Sequence, residues 1–287
     1  MRHDKDAGSN CRAQPAQIPE QSNPDHAAGA EPKVSIIIAT KNAADRIESC
    51  IDSIIVQTYQ PCEVLVQDAL STDGTLAVLQ NYDPGLVKVT TEADDGIYDA
   101  WNRALTRAVG EWIMFLGADD RLAHAEVLSN RVKMLARSPR KVDLVCGRIG
   151  FIGSDGTVQK QSGAGWNWRG MLRYQTVSHI GLMHHRRLFE TFGYFSTRYT
   201  IGGDYEFLLR LGPDINSVFV DEIEILAGAH GVSQTQVFRV LLETFQIQRA
   251  RRDIGNARAS VNLLSAVAKA LYRRSRQRTV DTMRALT

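Results

Sequence analysis

Two adjacent carboxylates, Asp119 and Asp120, are the residues of this sequence that are best placed to do chemistry. They follow the apolar run Trp112–Leu116, which is typical of a strand buried on both faces, and Gly117 leaves room beside them for a ligand. A carboxylate pair at the end of such a strand is costly unless a cation neutralises it, and Mg²⁺ and Mn²⁺ prefer oxygen ligands. The pair therefore predicts a divalent-cation site; the alternative is a turn that caps a helix over residues 122–136.

Polar stretches also follow two other predicted strands. Thr40-Lys-Asn42 ends the first strand, and Gln67-Asp68 ends the second and is followed by Ser71–Thr75. In an open parallel sheet, ligands bind outside the carboxyl ends of the strands, so we expect these side chains to share one rim with the acidic pair. That convergence predicts a binding site; the alternative for Ser71–Thr75 is a helix cap with no further role.

A third acidic stretch, Asp94–Asp99, leads into a predicted helix. Asp99, Asn102 and Arg103 lie on one face of that helix, opposite an apolar stripe that starts at Ile97. These polar residues face either a ligand or only solvent, and the spacing alone leaves both readings open.

The elements that must position these residues alternate between strands and helices. Apolar runs predict strands over 34–39, 63–67, 87–90 and 112–116, and helical periodicity predicts helices over 45–57, 72–81 and 97–109. This alternation predicts an α/β fold with a Rossmann-like, doubly wound, mostly parallel sheet. After about residue 140 the patterns predict a strand over 142–146, a hairpin over 147–162, and helices over 187–192, 204–211, 237–248 and 261–272.

The composition is that of an ordinary globular protein. The 287 residues are 44% hydrophobic and 23% charged, and the formal net charge of +2 does not favour nucleic acid as a partner. The four cysteines form no C-x-x-C pair, so a zinc site or a disulfide framework is not expected. With no apolar run of membrane-spanning length and no signal peptide, we expect a cytoplasmic protein.

The two ends of the chain differ from its middle. Residues 1–32 hold four prolines and few large apolar side chains, which predicts a disordered tail. Residues 236–287 are rich in arginine and predict a basic helical extension with apolar faces. Such helices can bind the anionic inner face of the plasma membrane peripherally; the alternative is a solvated, charged helix face.

Taken in order, these motifs resemble glycosyltransferase family 2, whose members have the GT-A fold. The likeness runs over about 33–235, which predicts a GT-A domain there, followed by the C-terminal helices. It resembles most the enzymes that decorate bacterial polysaccharides and glycolipids, including mycobacterial phenolic glycolipids. The matching stretches keep the order and spacing of the family: Val34–Asn42, Gln67-Asp68, Ser71–Thr75, Asp95–Asn102, Gly110–Asp120, His179, Arg186–Phe189, Phe192-Gly193 and Gly203–Arg210.

The resemblance implies transfer of a sugar, with inversion, from a nucleoside-diphosphate sugar to a hydroxyl of a glycan or lipid-linked acceptor. It assigns Asp120 to a cation, Mn²⁺ or Mg²⁺, that bridges the two phosphates of the donor, and Asp119 to the ribose or the cation. It also implies a group of polar residues around the nucleotide sugar: Thr40, Asn42, Asp68, Asp95, Asp99 and Asn102.

On the acceptor side, Asp204 matches the catalytic base of the family. It follows Gly202-Gly203, a bend that would present the carboxylate to a cleft, and the alternative is a helix cap. His179 matches a family histidine, and Trp166 and Trp168 are of the type that stacks on sugar faces. The resemblance therefore implies an acceptor region around these three residues, with packing in the core as the alternative.

Two positions depart from the family pattern. Gly117 replaces the first Asp of the family's Asp-x-Asp, and Ala69 stands where many members carry the acid that contacts uracil. The donor's base is therefore not fixed by the resemblance. We still expect Asp68, the acidic pair and Asp204 to meet around one cation in a single cleft.

Two other function classes require features that differ from those of this sequence. A nicotinamide-dependent dehydrogenase requires G-x-G-x-x-G after the first strand, where this chain has Thr40-Lys-Asn-Ala-Ala-Asp45. A non-catalytic nucleotide-sugar-binding protein would keep the fold without turnover, and for such a protein the acidic pair and Asp204 have no evident use.

Overall fold

The structure is a computed structural model, and it describes residues 32–59, 62–153, 155–228 and 236–285. The predicted disordered tail therefore lies outside the described residues, apart from its last position. Within the described residues, each helix is too short or too polar to span a lipid bilayer.

One mixed sheet forms the centre of the described part of the molecule. Its strands run in the order β3-β2-β1-β4-β8-β6-β9-β5, and β7 pairs with β6. The strand bounds are β1 Val34–Thr40, β2 Cys62–Asp68, β3 Val87–Thr91, β4 Trp112–Gly117, β5 Arg121–Leu122, β6 Leu144–Ile152, β7 Val158–Ser162, β8 Met183–His185 and β9 Ser217–Gly228.

The first four strands are parallel, as the sequence predicts. β1 pairs with β2 on one side and with β4 on the other, and β3 pairs with β2. The register aligns Thr40 with Asp68 and Ala39 with Gly117. The polar stretches after β1, β2 and β4 therefore leave the sheet at the same level, and the predicted shared rim is confirmed for them.

The second half of the sheet is mixed, and it departs from the predicted pattern. β8 is antiparallel to β4 and β6, and the predicted hairpin is present as β6 and β7. The long strand β9 was not predicted, because acidic residues interrupt its apolar run. The helix expected over 122–136 begins only at Val127, because Arg121-Leu122 pairs with β9 instead.

Helices cover both faces of the sheet. Their bounds are α1 Ile47–Ile55, α2 Thr75–Leu79, α3 Ile97–Arg107, α4 Val127–Arg137, α5 Trp168–Met171, α6 Arg187–Phe192, α7 Gly203–Leu211, α8 Val237–Ala250 and α9 Gly255–Ala285. In α3, the buried side chain of the first turn is Tyr98, while Ile97 is exposed, so the apolar stripe starts one residue later than predicted.

The two faces of the sheet are packed by chemically different cores, because successive side chains of a strand point to opposite faces. Ile36 and Ile38 join an aliphatic cluster with α1, α2 and α4, whereas Ile37 joins an aromatic-rich cluster with α3, α6 and α7. Ile247 of α8 also belongs to the aromatic-rich cluster. The predicted C-terminal extension thus contributes to the same core as the sheet.

Candidate active site

The loops after β1 and β2 are joined by side chain to backbone hydrogen bonds. Asn42, in the left-handed region with φ 50°, accepts the Thr72 N–H on Oδ1 at 2.9 Å, and its own N–H donates to Ser71 Oγ at 2.8 Å. Asp73 accepts the N–H of Thr75, the first residue of α2, at 3.1 Å. The stretch Ser71–Thr75 therefore serves as the predicted helix cap and also fixes the neighbouring loop.

Asp68 and Thr40 lie side by side at the ends of their strands. Asp68 is fully buried and accepts the Ser71 N–H at 2.9 Å, while its other oxygen accepts the Ser71 hydroxyl. Thr40 is also buried, and its hydroxyl has no hydrogen-bond partner among the described residues. A buried hydroxyl without a partner is a group that a bound ligand or water can satisfy.

The acidic pair after β4 consists of one exposed and one buried carboxylate. Asp119 is exposed, whereas Asp120 is only 5% exposed and accepts the Gly117 N–H at 2.7 Å. Burial, followed by the charge of Asp119, raises the pKa of Asp120 to about 7. The pair therefore carries negative charge whose cost in the fold a bound cation would relieve.

Glycines make room for both carboxylates of the pair. A Cβ placed on Gly117 would lie 2.7 Å from Asp120 Oδ2, and a Cβ placed on Gly228 would lie 2.9 Å from Asp119 Oδ2. The space beside Gly117, predicted to admit a ligand, is thus taken by the chain's own carboxylates. A side chain at position 228 of β9 would displace Asp119, so the two glycines set where the pair can sit.

The chemistry of these residues fits a hard divalent cation that is shared with a ligand. Within the described residues, no three His, Cys, Asp or Glu side chains come close enough to hold a metal ion by themselves. Mg²⁺ is commonly bound by one or two carboxylates together with substrate phosphates and water, which is the donor set that the acidic pair can supply. Asp120 and Asp119 are therefore the residues that would hold such an ion.

The loop between β3 and α3 is held by its own carboxylates. Asp99 Oδ2 accepts the Asp95 N–H at 3.1 Å and forms an ion pair with Arg103 at 2.8 Å, so it caps the start of α3. The Asp95 side chain is exposed. Asn102 bonds the backbone N–H and C=O of Phe195 at 3.0 and 2.9 Å, so its amide is engaged on the chain itself.

Asp204, in the first turn of α7, is held by side chains from two other segments. Its Oδ2 accepts the Gln175 Nε2–H at 2.9 Å, and its Oδ1 lies 3.1 Å from the Tyr98 hydroxyl, which also contacts the Ile201 carbonyl. Burial raises the pKa of Asp204, and the hydrogen bonds from Gln175, the Tyr205 N–H and Tyr98 oppose that rise. The result is an oriented carboxylate that is a stronger base than an ordinary aspartate.

Tyr98 and Gln175 contact Asp204, and the sequence analysis did not single them out. Tyr98 lies within a motif that matches the family. From the sequence alone, its aromatic ring is typical of the apolar, core-facing side of a helix. It reaches Asp204 only because position 203 is glycine: a Cβ on Gly203 would lie 2.8 Å from the Tyr98 ring. Gln175 follows a stretch without regular pattern and carries no sequence signal that would have identified it.

His179 lies in the aromatic-rich core. It is 4% exposed, its ring stacks on Trp101 and Phe115 at centroid distances of 5.1 and 5.4 Å, and neither ring nitrogen has a hydrogen-bond partner among the described residues. Burial lowers its pKa to about 3, so the imidazole is neutral at physiological pH. These contacts are those of the packed alternative, and a role toward an acceptor stays a prediction.

Trp166 and Trp168 lie near each other and are both partly buried. Their rings are stacked at a centroid distance of 6.3 Å, and the Arg251 guanidinium lies over the Trp168 ring at 5.6 Å. Both rings pack against the aromatic-rich cluster. Their assignment to an acceptor region stays a prediction, because a partly exposed indole pair can either face a sugar or complete the core.

The expected meeting of all carboxylates around one cation is not formed among the described residues. Asp68 bonds Ser71 of its own loop, and Asp204 contacts Tyr98 and Gln175. The physical reason is that Asp68 and Asp204 already accept hydrogen bonds from donors close to them. Among the described residues, the acidic pair and Asp204 are therefore held by separate sets of contacts.

Comparisons with known proteins identify the family to which this chain belongs. A family model described as Glycosyl transferase family 2 matches residues 35–198. The PGL/p-HBAD biosynthesis glycosyltransferase of Mycobacterium tuberculosis is 34% identical over 184 residues, which cover 63% of this chain and 70% of that relative. The putative teichuronic acid biosynthesis glycosyltransferase TuaG of Bacillus subtilis is 35% identical over 111 residues, which cover 38% of this chain and 44% of TuaG.

Solved structures with the same fold include two nucleotide-sugar complexes. S. aureus TarS in complex with UDP-GlcNAc matches with a TM-score of 0.62 and 20% identity, over 82% of this chain and 71% of TarS. The mannosyltransferase PcManGT from Pyrobaculum calidifontis, in complex with GDP-Man and Mn²⁺, matches with a TM-score of 0.56 and 20% identity, over 90% of this chain and 82% of PcManGT. At this identity the likeness concerns the fold.

Proposed function

Since this chain belongs to glycosyl transferase family 2 and has the α/β GT-A fold, we propose that it is an inverting enzyme with Asp204 as its general base. It would transfer a sugar from a nucleoside-diphosphate sugar to an acceptor hydroxyl. The observation that carries the proposal is the state of Asp204: a carboxylate of raised pKa, held by Tyr98 and Gln175 at the first turn of α7.

The base would act on the acceptor. As the acceptor oxygen attacks the anomeric carbon, Asp204 takes the proton from that hydroxyl, and the nucleoside diphosphate leaves from the opposite face. A single displacement of this kind inverts the anomeric centre. Gln175 and Tyr98 contribute by fixing the direction of the carboxylate, since proton transfer requires hydrogen-bonding distance in the reacting geometry.

The rim of the parallel half would bind the donor. Thr40, with its buried and unpartnered hydroxyl, stands beside Asp68 at the ends of β1 and β2, and Asn42 holds the adjoining loop. We assign the nucleotide sugar to this rim, with Asp119 beside it and Asp95, Asp99 and Asn102 bordering it from the β3–α3 side. TarS and PcManGT are described with UDP-GlcNAc and GDP-Man respectively, which supports a nucleotide sugar as the donor class.

Asp120, assisted by Asp119, would hold a divalent cation, Mn²⁺ or Mg²⁺. Such an ion neutralises the charge that builds on the leaving phosphates. Two observations support this assignment. Burial and the neighbouring Asp119 raise the pKa of Asp120, so a cation would stabilise its charged form. The neighbour PcManGT is described with Mn²⁺. The remaining ligands would come from the donor's phosphates and from water.

The acceptor is proposed to be a glycan or a lipid-linked glycan, with Trp166, Trp168 and His179 in the acceptor region. The relatives named for PGL/p-HBAD and teichuronic acid biosynthesis support an envelope glycolipid or polysaccharide. Peripheral contact with the inner face of the plasma membrane through the C-terminal helices would suit such an acceptor. Phe238 of α8 and Leu264 of α9 are 73% and 70% exposed, Arg239 directly follows Phe238, and Arg273-Arg274 lie further along α9.

The central proposal is tested by finding the donor and then following the stereochemistry. A thermal-shift screen of nucleotide sugars with and without Mn²⁺ identifies the ligand that raises the melting temperature. Turnover of that donor is then followed by NMR at the anomeric carbon. Inversion supports the mechanism, and retention of configuration refutes it. Binding without any turnover would instead identify a non-catalytic nucleotide-sugar-binding protein.

Membrane contact is tested separately by flotation with liposomes that contain or lack anionic lipid. Binding that requires anionic lipid supports the contact. Absence of binding to both kinds of liposome removes it, without affecting the proposed transfer reaction.

A further inference from the structure

Glu243 of α8 reaches from the C-terminal helices to the backbone that leads into the base. Its side chain is buried, with 7% of the residue exposed. Three consecutive backbone N–H groups donate to it: Thr200 to Oε1 at 3.1 Å, Ile201 to Oε2 at 2.9 Å, and Gly202 to Oε2 at 2.8 Å. Asp204 follows two residues later, so one carboxylate organises the segment from which the base projects.

The segment 200–202 has no means of its own to fix this geometry. Gly202 stands at the N-cap position of α7 and has no side chain that could accept a hydrogen bond. Successive N–H groups that point at one place form an anion-binding concavity, and a carboxylate is a suitable occupant. The positive end of the α7 dipole adds to the attraction.

The same segment is held from its other side by α3. The Tyr98 hydroxyl contacts the Ile201 carbonyl and lies 3.1 Å from Asp204 Oδ1. Behind it, a Cβ on Gly202 would lie 2.8 Å from Ile247 Cδ1 of α8, so the backbone rests directly on that helix. The N–H groups of the segment thus face α8, and its carbonyl at Ile201 faces α3.

We propose that Glu243 is a positioning residue for the transfer reaction, which fixes the backbone of residues 200–202 so that Asp204 meets the acceptor hydroxyl. This inference rests on the proposed role of Asp204 as the base. It gives α8, which lies outside the residues 35–198 that match the family model, a direct part in building the site. The electrostatics agree: burial raises the pKa of Glu243, but the three N–H groups and Arg239 together outweigh it and lower the pKa, so the carboxylate is ionised at neutral pH.

The experiment compares Glu243→Ala and Glu243→Gln with the control Arg239→Gln, all in the 287-residue chain. Arg239 forms an ion pair with Glu243 at 3.2 Å and donates to Thr200 Oγ1 at 2.6 Å, but it touches none of the three N–H groups. Glu243→Gln keeps the size and one acceptor oxygen, so it remains informative if Glu243→Ala does not fold.

The first measurement does not depend on activity. Hydrogen–deuterium exchange at the amides of Ile201 and Gly202 is expected to speed up by at least about tenfold in Glu243→Ala, because each loses its acceptor. Exchange in β1 and β4 should stay unchanged, and Arg239→Gln should leave the two amides within about threefold of wild type. Unchanged exchange at Ile201 and Gly202 in both Glu243 variants overturns the proposal.

The second measurement separates positioning from general stability. The donor KM is expected to stay near the wild-type value, while kcat falls by roughly 10- to 100-fold in Glu243→Ala and less in Glu243→Gln, because a base displaced by about 1 Å loses its reacting geometry. If the Glu243 variants lose activity only because less protein is folded, and kcat per folded molecule is unchanged, the proposal is overturned. An equal loss in Arg239→Gln also overturns it. If Asp204→Asn retains activity, the proposed base is wrong, whereas the exchange result still reports on the Glu243 contacts.

Discussion

The carboxylates of the parallel half and Asp204, the proposed base, are held in different ways. Asp68 takes both its hydrogen bonds from Ser71, three residues later, and Asp120 takes one from Gly117, three residues earlier. Asp204 instead depends on Tyr98 and Gln175, which are 106 and 29 residues away. The rim of the parallel half thus depends on contacts within local loops, whereas the orientation of Asp204 depends on contacts between segments far apart in the chain.

The largest expected effect is at the base itself. Asp204→Asn keeps the size of the side chain but removes the proton acceptor, so kcat should fall by roughly 10²- to 10⁴-fold. The control is Asp214→Asn, an exposed aspartate just after α7. Steady-state kinetics and circular dichroism on both proteins check the prediction. A folded Asp204→Asn enzyme with near wild-type kcat would place the base elsewhere.

The acidic pair provides the next test, on the locally held side. Asp120→Asn should lower turnover by on the order of 100-fold, because an assigned cation ligand is lost, and EDTA should abolish turnover of the wild type until Mn²⁺ or Mg²⁺ is returned.

The same variant should be more stable than the wild type when metal is absent. Burial and Asp119 raise the pKa of Asp120 to about 7 in the fold, above its ordinary value of 3.8, so stability is lost as pH rises between those values. In EDTA at pH 8, Asp120→Asn is therefore expected to melt at a higher temperature than wild type. If Asp120→Asn melts at a lower temperature than the wild type in EDTA at pH 8, the buried charge of Asp120 does not destabilise the fold as proposed.

Gln175 tests whether distant contacts tune the base. Its hydrogen bond lowers the pKa of Asp204 against the effect of burial, so Gln175→Leu should raise that pKa. The acidic limb of the kcat–pH profile is expected to move up by about one pH unit. The exposed Gln159→Leu in β7 serves as the control. An unmoved limb with normal folding would show that Gln175 does not act on the base.

The smallest effect on activity is expected at His179. Burial lowers its pKa to about 3 in the fold, so its contribution to stability is complete above pH 6.5 and is lost as pH falls from 6.5 toward 3. Between pH 6.5 and 3, His179→Phe should therefore reduce the pH dependence of the unfolding free energy by up to about 1.4 kcal/mol per pH unit. Urea titrations at several pH values measure the slope. If kcat at pH 7.5 instead falls by more than about tenfold, His179 acts on the acceptor and not only in the core.

Much of the parallel half could be predicted from the sequence because its signals are local. Apolar runs of strand length mark β1, β2 and β4, and the polar residues that end them share a rim because the strands are parallel. The alternation of side chains along β1 even separates the two cores, since Ile37 faces one and its neighbours the other.

The rest could not be predicted because it depends on pairs that are far apart in the chain. β9 contains Glu224, which breaks the apolar pattern, yet that residue is buried because Arg131 of α4 donates to it at 2.8 Å from 93 residues away. The contacts of Glu243 with residues 200–202 likewise join α8 to α7 and leave no mark on periodicity. A buried acid or an arginine on an apolar helix face is the signal that could have prompted a search for such partners.

The close approach of Gly203 to the Tyr98 ring also constrains how this enzyme can be recombined. Gly203 in α7 and Tyr98 in α3 must therefore be compatible with each other. If α3 of a relative replaced α3 of this chain, residue 203 would have to leave space for the tyrosine ring that the new helix carries. A chimera with a bulky residue at position 203 would push the ring outward and withdraw its hydroxyl from Asp204. A chimera that exchanges α3 should therefore exchange α7 with it.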